Sequence, residues 1–231
     1  MVTAATTFNL HDDFSRRAVS LAGDASWVPS PQAGVERRML DRVGGEVARA
    51  TSVVRYLPSS RFARHVHGGG EEILVLDGVF SDETGDYPPG SYLRSPPGSS
   101  HAPFSDDGCV ILVKLWQFTP GDTDLVRLDT RNQPWLPGVA PGLSVMPLHS
   151  CDGIDTSLVR WAPNTRFHPH VHPGGEEIFV LDGVFHDEGG DYPAHSWLRN
   201  PPWSKHNPYT EAEGALIYVK LGHIGAPFLT P

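Results

Sequence analysis

The stretch HVHGGGEEILVLDGVFSDETGDYPPGSYLRSPPGSSHAPFS, which begins at His65, returns from His170 as HVHPGGEEIFVLDGVFHDEGGDYPAHSWLRNPPWSKHNPYT. No other feature of the chain constrains its fold as strongly. His65 and His101 recur as His170 and His206, each 105 residues further on. About two-thirds of the aligned positions are identical, which marks an internal repeat. The match runs back through Arg55/Arg160, Pro58/Pro163, Arg61/Arg166 and Phe62/Phe167, and resumes at Lys114/Lys220 after a one-residue insertion near Asp106. A looser echo joins Trp27-Val-Pro29 to Trp135-Leu-Pro137. A period this long is a whole small domain, and 231 residues divide into two of them. The boundaries are expected at 26–120 and 121–231, behind an N-terminal extension over 1–25 that packs on a barrel. The polar stretch Thr119–Asn132, with Pro120 and Gly121, is expected as the linker.

Each unit reads as all-β. Short apolar or alternating runs over 47–57, 72–80 and 110–118 have counterparts over 156–161, 177–185 and 215–221. Turn clusters such as Gly85-Asp86-Tyr87-Pro88 and Gly190-Asp191-Tyr192-Pro193 separate them. With 22 prolines and 24 glycines, long helices are not expected; one short helix is expected over Asp12–Leu21, capped by Asp12 or Asp13.

Inside the repeat, His65 and His67 are two apart, so on a strand both imidazoles face one side. Glu71 follows a Gly68-Gly69-Gly70 turn that can return its carboxylate to that side, and His101 comes after Pro96-Pro97-Gly98. The second unit holds His170, His172, Glu176 and His206 at the same places. Three neutral imidazoles and a carboxylate suit Fe, Mn, Co, Ni, Cu or Zn. An isolated His-x-His pair carries little weight. The same four ligand types kept at identical spacing, while Pro89/Ala194, Gly98/Trp203 and Ser100/Lys205 diverge around them, carry much more. Glu71 and Glu176 are the expected ligands, with Glu72 and Glu177 pointing the other way, to the surface or to a supporting contact.

His-x-His, Glu71 and Gly78, then Pro96-x-Gly98-x-x-His101, resemble the two signature motifs of the cupins. The second copy departs from them at Trp203, and Ser59, Asn164, Ser105 and Thr210 stand where the motifs carry glycine or asparagine. GGEEILVLDGVFSDETGDYPPGSYLRSPPGSSH is similar to the cupin domain of the ChrR proteins, zinc-containing anti-sigma factors. The resemblance covers nearly the entire chain. It implies two tandem double-stranded β-helix (jelly-roll) barrels, an intrachain pseudodimer and one transition metal ion per barrel. Fe(II) or Zn(II) is expected first, with Mn, Ni and Cu open. Sigma-factor binding is not expected, because the helical module that performs it needs a Cys-x-x-Cys pair that this chain lacks.

Two functions follow from that resemblance. Related ChrR-like cupins include a dihydroxyacetophenone dioxygenase and, more distantly, an acetylacetone-cleaving dioxygenase. The first expectation is therefore a mononuclear non-haem Fe(II) dioxygenase acting on a small diketone or hydroxyketone. The second is a zinc-binding sensor or structural protein without turnover, since three His and one Glu close a tetrahedron. Phe62, Tyr92 and Phe104 in the first unit, and Trp161, Phe167, Trp197 and Trp203 in the second, are pocket candidates, core packing being the plainer reading. His168 shares the strand parity of His170 and is a candidate catalytic or supporting group, with an exposed strand-end position as the alternative. Trp203 and Lys205 are expected to narrow the second barrel's mouth, leaving the first more accessible. Arg94 and Arg199 are expected either to orient an anionic substrate or to pair with Asp86 and Asp191.

The partner expected is a small molecule. A net charge of −9 with scattered basic residues gives no nucleic-acid footprint, and no stretch is apolar enough to span a membrane. Met1–Leu10 does not read as a secretory signal, and two cysteines make no disulfide framework, so a cytoplasmic setting is expected. Cys109 reads as a small buried residue, and a homo-oligomer is compatible with all of this.

Overall fold

The computed structural model describes residues 8–226. The described residues divide into two compact units, 26–131 with residues 8–12, and 132–226 with residues 13–25. Among the described residues the only helical element is a 3-10 turn, Thr130–Asn132, and no helix is long and apolar enough to cross a membrane.

In the first unit seven antiparallel strands form one sheet, in the order Val126–Asp129, Ser91–Ser95, Glu71–Gly78, Cys109–Leu115, Ala48–Tyr56, Val35–Gly44 and Val28–Pro29. Ser60–Arg61, Phe104–Ser105, Phe80–Asp82 and Gly85–Tyr87 make a smaller sheet, and His65–Val66 pairs with Ser100–His101. Alternation sends one side of each strand inward. Ile73, Val75, Leu93, Ile111, Val113, Val35 and Val54 meet Phe80 in one buried core. The second unit repeats the pattern on Glu176–Asp187, Trp197–Asn200, Ala215–Leu221, Ile154–Trp161 and Leu143–Cys151, with Ile178, Val180, Leu198, Ile217, Val219 and Phe185 inside. His170–His172 pairs with Ser204–His206.

The motif glycine has a clear cause. Gly78 and Gly183 adopt φ of 66° and 71°, and an added Cβ would sit 2.1 Å from Gly108 O or 2.2 Å from Gly214 O. Only glycine permits that backbone approach.

Two expectations are corrected. The segment expected as a helix over Asp12–Leu21 contains instead the strand Ala18–Ser20, paired with Trp197–Arg199. Asp13 accepts from Ser15 N–H at 3.0 Å, which makes a turn rather than a helix cap, and the open edge of the sheet recruits the residues that follow. The expected linker is also partly regular. Val126–Asp129 pairs with Ser91–Arg94 and completes the first unit's sheet.

Candidate metal centres

In the first unit the small sheets and the large one deliver four side chains to one point. His65 stands opposite His101 across a two-residue ladder, and Glu71 opens the strand paired with Ser95 and Leu115. Gly70, at φ 78°, turns the chain so tightly that a Cβ would strike the Phe118 ring at 2.4 Å, and this directs Glu71 inward. One donor atom from each of His65, His67, Glu71 and His101 lies within 4.8 Å of all the others. Glu71 Oε2 is 3.4 Å from His67 Nε2 and 3.3 Å from His101 Nε2.

The outer ring nitrogens are held from behind. His65 Nδ1 meets Ala63 O at 3.1 Å, His67 Nδ1 meets Ser99 Oγ at 3.1 Å, and His101 Nδ1 meets Asp82 Oδ2 at 3.3 Å. Each contact points the opposite nitrogen, Nε2, at the cluster. His67 Nε2, His101 Nε2 and Glu71 Oε2 are buried without a hydrogen-bond partner. Buried polar atoms are almost always satisfied, so three orphans converging on one spot fit a cation there.

Electrostatics agree with that fit. Burial, reinforced by His101 and His65, pushes His67 down to about 3, and burial lowers His101 as well. Both imidazoles are thus neutral, as a metal requires. Burial raises the Glu71 carboxyl to about 7.

The second cluster differs in detail. His170, His172 and His206 bring ring nitrogens within 4.8 Å of one another, and His206 Nε2 is 3.1 Å from both His170 Nε2 and His172 Nε2. Glu176 sits beside this trio, 3.4 Å from His172 and 3.5 Å from His206, with one oxygen accepting from Asn200 Nδ2 at 3.0 Å. Behind His206, Asp187 stands at 3.9 Å and is itself gripped by Arg17 at 2.6 Å and Gly189 N–H at 2.7 Å. Burial works against the Asp187 charge, yet His206, the Gly189 N–H and Arg17 together hold its carboxyl down to about 2. Burial also opposes charge on His206, but Asp187 and Glu176 outweigh it and raise that imidazole.

Asp82 and Asp187 were not foreseen as supports. They occupy the same place in the two copies, two residues after Phe80 and Phe185, so the repeat itself carried the signal. Replacing Asp82 by Asn is expected to weaken metal binding in the first unit by about 10- to 100-fold, read by competition with a chromogenic chelator.

The other expected residues fall into place unevenly. The His168 side chain is exposed, with its ring 6.3 Å from that of His170; it is its backbone carbonyl that meets His170 Nδ1, at 3.0 Å. Phe62 and Phe167 lie against the clusters, 5.6 Å from His65 and 4.5 Å from His170, and Trp161 packs in the second core. Tyr92 and Trp197 are buried outside those cores, because Leu93 and Leu198 take the inward positions of their strands. Phe104 is occupied by the Arg61 guanidinium at 4.7 Å. Trp203 is 73% exposed and Lys205 is exposed too, so neither covers the cluster.

Glu72 and Glu177 point away from the clusters but not to the surface. Glu177 accepts from Trp197 Nε1 at 2.8 Å and meets His223 Nε2 at 2.8 Å, and Glu72 is 3.9 Å from Arg94 Nε. Arg94 pairs with Asp122 rather than with the expected Asp86, which accepts from Ser81. Asp191 likewise pairs with His186. Cys109 is buried, and burial raises its thiol to about 11.

A cavity of about 620 Å³ opens above the first cluster. Its walls include Phe62, Val54, Ile111, Val113, Leu115 and Trp116, and His65, His67 and Glu71 lie along it. Tyr56, Val35 and Trp116 line it without having been anticipated.

The family model described as ChrR Cupin-like domain matches residues 15–119 and 123–225. No curated protein matches the sequence. Among solved structures, one from Nostoc punctiforme described as a candidate dioxygenase is 16% identical, with a TM-score of 0.70 over 99% of this chain and 88% of its own. Oxalate decarboxylase of Bacillus subtilis, described with Mn(II) centres, is 13% identical, with a TM-score of 0.60 over 92% of this chain and 79% of its own. A cupin barrel protein from Leptotrichia buccalis is 13% identical, with a TM-score of 0.57 over 84% and 91%. At these identities the likeness is one of fold.

Proposed function

The chain belongs to the ChrR-like cupin family, and from that premise we propose that it is a metal-dependent dioxygenase of small diketone-type substrates, working in its first unit. The observation that carries the reading is the convergence of three unpaired buried donor atoms, on His67, Glu71 and His101, the first two of which line the adjoining cavity. The proposed ligands are His65, His67, Glu71 and His101 in the first unit and His170, His172, Glu176 and His206 in the second. A metal so held, Fe(II) in this reading, supplies Lewis acidity and oxygen chemistry to a substrate that presents two oxygens.

The chain's own residues do the rest. Ala63, Ser99 and Asp82 fix the three imidazoles, so the donor set is organised before a substrate arrives. Phe62, Ile111, Val113 and Leu115 keep water from the reacting end and accept the apolar part of a small ketone. Glu71 supplies the one negative charge of the donor set.

A second reading, an ion held without turnover, is favoured for the second unit. Asn200 ties down Glu176 there, and the inward Arg37 and the Gln32 of the first unit's cavity are replaced by Val145 and Ala140. Metal analysis of protein purified without added metal, then oxygen uptake with Fe(II) and a diketone panel, tests both readings. Iron-dependent uptake lost in His65→Ala and kept in His170→Ala is the expected result. Tightly held zinc with no uptake after iron reconstitution sinks the dioxygenase reading.

A further inference from the structure

The cavity of the first unit carries a polar end that the metal reading does not use. Arg37 lies on the Val35–Gly44 strand opposite Val54 and Val28, and its side chain lines the cavity together with Gln32, Ser30 and Glu46. Arg37 Nε is buried without a hydrogen-bond partner. Its fork is held by Glu46 alone, Nη1 donating to Oε2 and Nη2 to Oε1, both at 3.3 Å. Glu46 is 65% exposed at its side chain, at the tip of a hairpin. An ion pair so solvated is weak, so an incoming carboxylate can take its place with little loss. Inside an apolar cavity the same fork binds that carboxylate far better than water does.

The second unit provides a contrast within the same chain. Leu136 and Val159 flank Val145 in the ladders where Val28 and Val54 flank Arg37. The charged fork has thus become an apolar side chain, and Gln32 has become Ala140. An arginine facing into only one of two duplicated barrels is a mark of ligand selection, since the fold is built equally well with valine there.

The positions also put Arg37 and the histidine cluster at different levels of the barrel wall. Arg37 is level with Ile111, and Glu71 with Leu115, four residues along the same strand. That is about 13 Å along the strands at roughly 3.3 Å per residue, with two strands between them around the wall, a separation that the long arginine side chain shortens. We infer that the first cavity selects a small anionic ketone, with a chelating oxygen pair at the histidine end and a carboxylate several bonds away on Arg37. This inference rests on the metal reading for the chelating end and on Arg37 alone for the charge.

The test is calorimetric titration of the full chain, loaded with Co(II) under anaerobic conditions. The probes are succinylacetone, which is a β-diketone with a carboxylate two methylenes away, its methyl ester, and acetylacetone. The acid is expected to bind about 10- to 100-fold more tightly than the ester, the range for a charge-assisted pair. Arg37→Met erases that preference, Arg37→Lys keeps part of it, and Glu46→Gln widens it by freeing the fork. A merely structural Arg37–Glu46 pair would leave selectivity unmoved in Glu46→Gln. Equal binding of acid and ester, no binding of the acid, or an intact preference in Arg37→Met overturns the inference. Removing the metal separates the two claims. Acid that binds chelator-stripped protein as tightly as the loaded protein, with its preference over the ester intact, sustains Arg37 and removes the metal reading of this cavity. Metal-dependent binding without acid preference does the reverse.

Discussion

Glu71→Gln is expected to act with opposite signs on the metal-free and metal-loaded protein. In the metal-free chain, burial raises the Glu71 carboxyl from 4.5 to about 7. The folded state therefore holds this proton more tightly than the unfolded state. The group adds no penalty below about pH 4.5, and its cost grows as pH climbs toward 7, reaching on the order of 3 kcal/mol at about 1.4 kcal/mol per pKa unit. Glutamine fills the same space without that charge, so metal-free Glu71→Gln should melt higher than the parent at pH 8 and equally at pH 4. With metal added the order reverses. The carboxylate is the only anion in the donor set, and its loss should exceed the roughly 10- to 100-fold that outer contacts cost. About 100-fold in affinity is about 2.7 kcal/mol of lost ligand stabilisation. Thermal melts at the two pH values, with and without Zn(II), and beside Glu176→Gln to apportion the two units, measure both effects. A variant that gains as much from zinc as the parent does would remove Glu71 from the metal site.

The donor sets could be read in the sequence because duplication repeats what the chemistry needs and lets the rest drift. His65, His67, Glu71 and His101 keep their spacing while Gly98 becomes Trp203 and Ser100 becomes Lys205. Strand parity then put the paired histidines on one side. The same rule, pressed further, separates Tyr92 and Arg94 from the site. They flank Leu93, which faces the core, so neither reaches the cavity, and Trp197 and Arg199 flank Leu198 in the same way. Burial of the opposite face was not legible. Glu72, Arg94 and Lys114 look like a solvated stripe, yet each is no more than 2% exposed. Arg37 escaped notice for the opposite reason. In Val-Glu-Arg-Arg a charge on the inward position reads as noise until the cavity beside it is seen. The N-terminal strand depends on a partner, Trp197–Arg199, far along the chain, which no local pattern announces.

Arg94 answers directly to a stability measurement. Its guanidinium forks onto Asp122, with Nη2 to Oδ2 at 2.7 Å and Nη1 to Oδ1 at 3.3 Å, lies 3.9 Å from Glu72 and rests 4.1 Å above the Phe118 ring. Burial alone opposes its charge, but Glu72 and the Asp122 bonds outweigh that and raise its affinity for the proton. Removing the cation takes the guanidinium away from the buried carboxylates of Asp122 and Glu72, and breaking a buried pair in this way costs about 3–5 kcal/mol. Arg94→Met keeps the stem against Phe118 and isolates the charge effect. It should lower the melting temperature by roughly 10 °C or more. Replacing Arg94 and Asp122 together by apolar residues of similar size should restore part of that loss, because the carboxylate that the guanidinium forks onto is removed with it. Metal content should be unchanged in both variants, since Arg94 faces away from the cluster. If Arg94 served a substrate instead, Arg94→Met would leave the melt where it was and act only on binding.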